Sequence, residues 1–264
     1  MAAERQQLEI GDLAAGYSRR PVIEGLSLAA IEPGQVVSLI GPNAAGKTTL
    51  LRAIAGLHPA RGSVRLGGRE LLQLPLADRA RLVTYMPQSL PQKVALSVLE
   101  GVIGALRVSP ADGGALADDE LLERALDVIE RVGIGPLAMA GLDHLSGGQR
   151  QLASLAQALA RTPRVLLLDE PISALDLHYQ LRVMQLVRTL AREQGMIVVM
   201  VLHDLAIAAR WSDRIVVLRN GTVAADGAPA DAITEAVLAE VYRVRSRVEV
   251  DGADLHIRID DILP

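Results

Sequence analysis

One octapeptide carries more information than any other stretch of this chain: Gly41-Pro42-Asn43-Ala44-Ala45-Gly46-Lys47-Thr48. It fits the pattern G-x-x-x-x-G-K-[ST] and lies between an apolar run, Val36–Ile40, and a helical segment, residues 49–57. In that context the loop turns its backbone N–H groups toward phosphate oxygens, and the helix N-terminus adds positive potential. Lys47 then reaches the outer phosphates, while the Thr48 hydroxyl can ligate Mg²⁺. The octapeptide predicts a phosphate-binding loop, the alternative being an ordinary strand–helix connection.

Short apolar runs alternate with longer amphipathic segments along the rest of the chain. This alternation predicts an α/β fold with a largely parallel sheet. Its strands are expected at residues 35–40, 81–85, 165–168, 197–202 and 214–218. Shorter runs near the N-terminus predict antiparallel strands beside this core, at residues 8–10, 13–16 and 26–29.

The sequence becomes helical between about residues 88 and 161, which predicts a helical insert in the sheet core. Within it a helix is expected over residues 120–132, with Leu122, Leu126 and Ile129 on one face. Broken stretches flank this helix, at residues 109–114 and 133–141. Further on, the sequence predicts a hairpin turn at Asn220-Gly221, a helix at residues 231–242 and two alternating segments joined by Asp251-Gly252.

Composition narrows the functional classes. The chain has 264 residues and no cysteine, which excludes disulfides, Cys-ligated zinc, iron–sulfur clusters and thiol nucleophiles. Its net charge of −4 combines scattered charges of both signs, so no nucleic-acid-binding surface is expected. The longest purely apolar run, residues 196–202, is far shorter than the roughly 18–20 residues that span a bilayer, and the N-terminus has no apolar signal core. These features favour a globular cytoplasmic protein.

Two adjacent carboxylates, Asp169 and Glu170, follow the strand expected at residues 165–168. Open α/β sheets bind ligands at the carboxyl ends of their strands, and adjacent strand residues point to opposite sides. The hypothesis is that Asp169 serves the metal side and that Glu170 polarises a water for attack on a γ-phosphate. Taken alone, such a pair usually marks a solvated strand end. The presence of a phosphate loop in the same chain favours the interpretation that both carboxylates belong to the nucleotide site.

A third motif, Leu145-Ser146-Gly147-Gly148-Gln149, precedes a helical stretch at residues 150–161. Two glycines ahead of a helix start suit a second anion-binding turn, the alternative being a glycine-containing cap on a buried helix. With this motif the sequence resembles the ATP-binding-cassette ATPases. The resemblance rests on six motifs in the family's order: the phosphate loop, the glutamine loop at Gln88, the signature at residues 145–149, the Asp-Glu strand end, the D-loop at residues 173–176 and the switch histidine His203.

The resemblance covers about residues 8–250 and implies a P-loop NTPase fold, with a RecA-like parallel-sheet core, an antiparallel β subdomain and an inserted helical subdomain. Residues 1–87 and 162–225 would form the α/β core with the antiparallel part. Residues 88–161 would be the helical subdomain, and residues 226–264 a C-terminal extension. The whole chain would be a single ATPase domain.

The resemblance also implies a role for each matched residue. Catalysis is expected from Lys47, Gln88, Glu170 and His203. Mg²⁺ is expected at Thr48, Gln88 and Asp169. Contacts to ATP are expected from Tyr17, Gly41, Pro42, Asn43, Ala44, Ala45, Gly46, Lys47, Thr48, Thr49, Ser146, Gly147, Gly148, Gln149 and Asp176.

Three of these positions have an ordinary structural alternative. Tyr17 would stack on adenine, or else pack at the sheet edge. Asp176 would lie at a dimer seam, or else cap a helix. His203 would contact the γ-phosphate and help to orient Glu170, or else be a structural histidine.

The sequence departs from the family pattern in three places. Ala44 stands where the family usually has glycine, so the loop must suit alanine there or bear strain. Ile172 replaces a usual threonine, a change expected to be benign. Residues 98–109 match the closest subfamily poorly, in the region expected to face a permease.

One phosphate loop and one signature per chain imply a head-to-tail homodimer with two composite ATP sites. The other partners implied are a membrane permease, docking at residues 88–106 on the cytoplasmic face of the inner membrane, and indirectly a periplasmic substrate-binding protein. Residues 174–187, 203–227 and 232–242 look like those of bacterial importers for iron–siderophore, haem or cobalamin. The alternatives are the ATPase of another importer or exporter, and a non-transport cassette protein.

Overall fold

The computed structural model describes residues 6–17, 20–88, 95–108, 117–252 and 254–264. Its strands are β1 (Leu8–Tyr17), β2 (Arg20–Ile31), β3 (Val36–Ile40), β4 (Ala60–Leu66), β5 (Arg69–Glu70), β6 (Val83–Met86), β7 (Val165–Asp169), β8 (Ile197–Val201), β9 (Arg214–Arg219), β10 (Thr222–Gly227), β11 (Val244–Asp251) and β12 (Asp254–Ile262). Its helices are α1 (Lys47–Ala55), α2 (Leu76–Leu82), α3 (Val98–Val108), α4 (Asp118–Val132), α5 (Gly147–Ala160), α6 (Leu177–Gln194), α7 (Leu205–Trp211), α8 (Pro229–Ala232) and α9 (Glu235–Tyr242). The loop expected at residues 109–114 lies outside the described residues.

The largest sheet within these ranges has six strands in the order β10-β9-β3-β8-β7-β6, and the neighbours from β9 to β6 are parallel. Strand β10 is antiparallel to β9 across the Asn220-Gly221 turn, where φ is +49° and +78°. The expected parallel strands are confirmed. Strand β6 begins at Val83 rather than at residue 81, because α2 continues to Leu82.

Strands β3, β7 and β8 are buried on both faces of this sheet, as their valine-, leucine- and isoleucine-rich runs predict. In β7, Leu166 and Leu168 pack in the cluster that includes the inserted helices, whereas Val165 and Leu167 pack in the cluster beside α1 and β1. Asp169 has the parity of Leu167, so its side chain points to the α1 side. The alternation along β7 thus directs Asp169 toward α1, and Glu170 follows just beyond the end of the strand.

A second, four-stranded antiparallel sheet has the order β2-β1-β4-β5. The two N-terminal strands expected at residues 8–10 and 13–16 are one strand, β1, whose pairing with β2 shifts register between Ile10 and Leu13. Asp12 lies in this irregular stretch with φ +48°, which marks a bulge rather than a loop. The sequence prediction of two strands was wrong because a bulge interrupts the alternation without ending the pairing.

Helices α3, α4 and α5 pack against one another and form the helical insert. The side chains that α4 buries are Leu121, Ala125, Ile129 and Val132, not Leu122 and Leu126, which are 41% and 43% exposed. The prediction was therefore wrong by one residue, about 100° around the helix, at Leu122 and Leu126, whereas Ile129 is buried as expected. The sequence did not distinguish these choices, because residues 121, 122, 125 and 126 are all apolar.

The sequence predicts one helix over residues 231–242, but the structure has two, α8 and α9, in this part of the chain. The second helix begins separately because the Thr234 hydroxyl accepts the N–H of Val237 at 3.2 Å and caps it. Strands β11 and β12 then form the expected hairpin around Gly252. Within the described ranges no helix is long and apolar enough to cross a membrane.

Candidate active site

The phosphate loop joins β3 to α1, and two glycines give it its shape. A Cβ on Gly41 (φ +143°) would lie 2.2 Å from the carbonyl oxygen of Leu218, so only glycine lets the loop pass this close to β9. Gly46, with φ +102°, directly precedes α1. The helix begins at Lys47, two residues earlier than the sequence predicts, and its free N–H groups face the end of the loop.

Ala44 adopts a left-handed conformation with φ +64°. A residue with a Cβ pays roughly 1–2 kcal/mol for that conformation, which glycine adopts freely. The strain expected from the departure from glycine is therefore present, and the loop keeps its shape despite it.

Lys47 is almost fully buried against the loop that precedes it. Its Nζ donates hydrogen bonds to the carbonyl oxygens of Gly41 at 2.6 Å and Pro42 at 2.9 Å. Burial lowers the pKa of Lys47, and the nearby charges of Glu170 and Asp169 partly oppose that shift. The ammonium group thus lies between the loop carbonyls and the two carboxylates.

Asp169 lies at the end of β7 with only 2% of its surface exposed. Its Oδ1 accepts the Thr48 hydroxyl at 3.0 Å, and its Oδ2 accepts the Tyr85 hydroxyl at 2.8 Å. Both carboxylate oxygens are therefore satisfied, as a buried charge requires. The structure brings Asp169 and Thr48 together as the sequence hypothesis expects.

Glu170, the next residue, lies just beyond the end of β7 and has φ +52°. Its Oε2 accepts from Nε2 of Gln88, and its Oε1 contacts Nε2 of His203, both at 2.6 Å. A glutamate in this backbone conformation is strained, and such strain persists only where the surroundings enforce it. The structure thus brings Gln88 and His203, which are far from Glu170 in the sequence, to the Glu170 carboxylate.

A cleft of about 270 Å³ opens above these groups, lined by Tyr17, Val22, residues 43–49, Glu170 and His203. Tyr17 is 52% exposed, which weighs against a tyrosine packed at the sheet edge. Its ring lies 4.5 Å from the ring of His58, whose Nε2 is 2.9 Å from the carbonyl oxygen of Gly16. The exposed ring at the mouth of the cleft is placed to stack on a base, and that role stays a prediction.

The signature residues lie elsewhere, at the start of α5. Ser146 and Gln149 form a capping box: the Ser146 hydroxyl accepts the Gln149 N–H at 3.2 Å, and Oε1 of Gln149 accepts the Ser146 N–H at 2.9 Å. Asp176 caps α6 by accepting the N–H of Tyr179 at 3.1 Å. Ser146 and Asp176 are exposed. The residues that line the described cleft do not include Asp176 or any of residues 146–149, so a single chain does not bring the two groups together.

The sequence interpretation missed three residues that support the site. Gln151, buried on α5, donates to the carbonyl oxygen of Glu170 and accepts the N–H of Ala174 at 3.1 Å. Tyr242 lines a pocket together with Pro42 of the phosphate loop, and burial raises its pKa to about 12. His58 packs on Tyr17. The one signal available in the sequence was the position of Gln151, two residues after the end of the signature.

The donor groups at the end of β7 fit a magnesium ion. Thr48 and Asp169 offer a hydroxyl and a carboxylate within 3.0 Å of each other, and oxygen ligands of this kind are those that Mg²⁺ takes. Gln88 turns its amide nitrogen toward Glu170, so its role as a metal ligand stays a prediction.

Comparison with known proteins finds relatives that match over most of the chain. Residues 24–173 match the profile of the family described as ABC transporter. The hemin import ATP-binding protein HmuV of Bordetella avium is 39% identical over 253 residues, which cover 91% of this chain and 94% of that protein. The iron(3+)-hydroxamate import ATP-binding protein FhuC of Bacillus subtilis is 34% identical over 245 residues, covering 92% of this chain and 90% of that protein.

One solved structure supports the fold directly. It is the dimeric post-hydrolysis state of the ATP-binding cassette MJ0796 bound to ADP and Pi. It matches with a TM-score of 0.76 and 27% identity, over 84% of this chain and 98% of that one. The expected α/β fold, with its parallel core, antiparallel sheet and helical insert, is confirmed.

Proposed function

The chain belongs to the ABC transporter family, and from that premise we propose that it is the ATP-hydrolysing subunit of a bacterial importer for metal chelates of the iron-siderophore, haem or cobalamin type. Two relatives that match along nine-tenths of the chain or more support the cargo class, since their names specify import of hemin and of iron(3+)-hydroxamate. The permease would anchor the subunit at the cytoplasmic face of the membrane.

A single observation carries the ATPase part of the proposal: Gln88 and His203 both lie 2.6 Å from the Glu170 carboxylate, at the rim of a cleft that the phosphate loop lines. A carboxylate held on both oxygens is positioned to orient a water molecule and accept its proton. Gln88 and His203 would position Glu170, and His203 would also contact the γ-phosphate.

The remaining residues would bind and neutralise the triphosphate. The N–H groups of residues 43–49 cradle its oxygens, and Lys47 contributes a positive charge. Mg²⁺, held by Thr48 and Asp169 with Gln88, supplies neutralisation of phosphate charge when it is bound. Tyr17 stacks on adenine. Catalysis of this kind consists mainly of positioning and charge stabilisation.

The site is incomplete in one copy, because Ser146, Gly147, Gly148, Gln149 and Asp176 lie away from the cleft. A second copy, arranged head to tail, would place these residues over the ATP of the first, and the dimeric cassette bound to ADP and Pi supports this arrangement. Dimer closure would follow ATP binding, and opening would follow hydrolysis.

The other parts of the chain would serve the transporter. Residues 1–87 and 162–225 would be the nucleotide-binding core, and residues 88–161 a helical subdomain. The region at residues 88–106, which includes part of α3, would receive the permease. Residues 226–264 would be a C-terminal extension, and a periplasmic substrate-binding protein would deliver the cargo from outside.

Reconstitution tests the whole proposal. The protein is assembled with its co-purifying permease in proteoliposomes, with the binding protein added, and uptake of hemin, a ferric hydroxamate and cobalamin is measured with and without ATP. ATP-dependent uptake of one of them is expected. ATP hydrolysis without uptake of any chelate would overturn the cargo class, and the absence of hydrolysis would overturn the ATPase assignment.

A further inference from the structure

Asp169 is held by a residue outside the six motifs. Tyr85 lies on β6, the neighbour of β7, and pairs with Leu167, two residues before Asp169 on the same face of the sheet. Its hydroxyl donates to Asp169 Oδ2 at 2.8 Å, while Thr48 donates to Oδ1 at 3.0 Å. The two hydroxyl groups thus hold the buried carboxylate from both ends.

Tyr85 is in turn held by Arg52, in the last turn of α1. The Arg52 Nε donates to the Tyr85 hydroxyl oxygen at 3.3 Å. This hydrogen bond to the Tyr85 hydroxyl raises the pKa of Arg52. The guanidinium of Arg52 therefore holds the tyrosine that in turn holds Asp169.

The hydrogen bonds run in one direction, from Arg52 to Tyr85 and from Tyr85 to Asp169. The Tyr85 phenol can donate one hydrogen bond, and its oxygen can accept others. Its one proton goes to Asp169, and its oxygen accepts from Arg52. In a chain of this kind each hydrogen bond polarises the next, which strengthens the contact to the carboxylate.

We propose that Tyr85 and Arg52 are positioning residues: together they orient the Asp169 carboxylate toward Thr48 for a divalent cation. This inference rests on the proposed ATP site. Side chains that hydrogen-bond a metal ligand commonly change metal affinity 10–100-fold when they are removed. Tyr85 would act on the metal site directly, and Arg52 would act on it through Tyr85.

The test measures binding and does not rely on turnover. Mn²⁺ is titrated into the protein with a non-hydrolysable ATP analogue, and free Mn²⁺ is followed by electron paramagnetic resonance. A fluorescent ATP analogue in EDTA reports nucleotide affinity without metal. The variants are Tyr85→Phe, which removes only the hydroxyl, and Arg52→Met, which keeps the stem. Tyr179→Phe removes a half-buried hydroxyl elsewhere, on α6, as the matched control.

Tyr85→Phe is expected to weaken Mn²⁺ binding roughly 10-fold and to leave metal-free nucleotide affinity within about twofold. Arg52→Met is expected to weaken Mn²⁺ binding by a smaller factor and to leave metal-free nucleotide affinity unchanged, and Tyr179→Phe is expected to change neither affinity. Wild-type Mn²⁺ affinity in Tyr85→Phe would overturn the role of Tyr85, and wild-type Mn²⁺ affinity in Arg52→Met would overturn the role of Arg52. If the wild-type protein itself bound no Mn²⁺ with nucleotide, the proposed ATP site would fail instead. Thermal melting identifies a variant that simply unfolds.

Discussion

Replacing Glu170 with glutamine should abolish most ATP turnover while leaving the fold and ATP binding intact. The carboxylate lies 2.6 Å from Nε2 of Gln88 and 2.6 Å from Nε2 of His203, in the position of a proton acceptor at the cleft. Glutamine has the same shape but a far weaker basicity, so Glu170→Gln removes the proton-accepting function and little else.

The size of the effect follows from that function. A positioned general base contributes about 10²–10⁴-fold to a rate, which corresponds to roughly 3–5 kcal/mol of barrier. The structure lets glutamine keep both contacts: its oxygen can accept from His203, and its amide nitrogen can donate to Gln88 once the Gln88 amide rotates. Loss of a negative charge beside a triphosphate should hold ATP affinity steady or raise it.

Two measurements check this prediction: the initial rate of phosphate release at saturating ATP and Mg²⁺, and equilibrium binding of a fluorescent ATP analogue. Glu249→Gln, an exposed glutamate on β11, is the control for a charge change far from the cleft. A kcat for Glu170→Gln within tenfold of the wild-type value would refute the role of Glu170. Equal loss of binding and turnover would show a folding defect instead.

Substitutions at two further positions, Tyr17 and Ala44, address residues for which the sequence left alternatives. Tyr17→Ala should weaken ATP binding about tenfold, because stacking contributes roughly 1–3 kcal/mol per base. Tyr17→Phe keeps the ring and should retain most of the affinity. If a fluorescence titration gave Tyr17→Ala the wild-type affinity for ATP, Tyr17 would be only a structural partner of His58. Ala44→Gly should raise the free energy of unfolding by up to about 1 kcal/mol, because relief of the φ +64° strain exceeds the added entropy of the unfolded chain. Thermal melting measures this, and a lower Tm would contradict it.

Much of the site could be predicted because each motif is a short contiguous segment whose chemistry is local. The phosphate loop needs only a strand, two glycines and a helix start in succession, and the Asp169-Glu170 pair needs only a strand end. The errors in the predicted helices arise because a local sequence pattern can fit more than one structure. The α4 face differs by one residue because two neighbouring stripes are both apolar, and the helix at residues 231–242 broke because the cap at Thr234 competes with helix continuation.

The sequence by itself determined the α/β class, the phosphate loop and the placement of the two carboxylates at a strand end, since these depend on residues that are neighbours in the chain. The tertiary structure alone decided which distant groups meet. Gln88 and His203 reach Glu170 across 82 and 33 positions, and Tyr85 reaches Asp169 across 84. The physical reason is that parallel strands bring their carboxyl ends to one edge whatever their separation in sequence. Register and sheet order, set by packing of the whole core, therefore decide which side chains form the site.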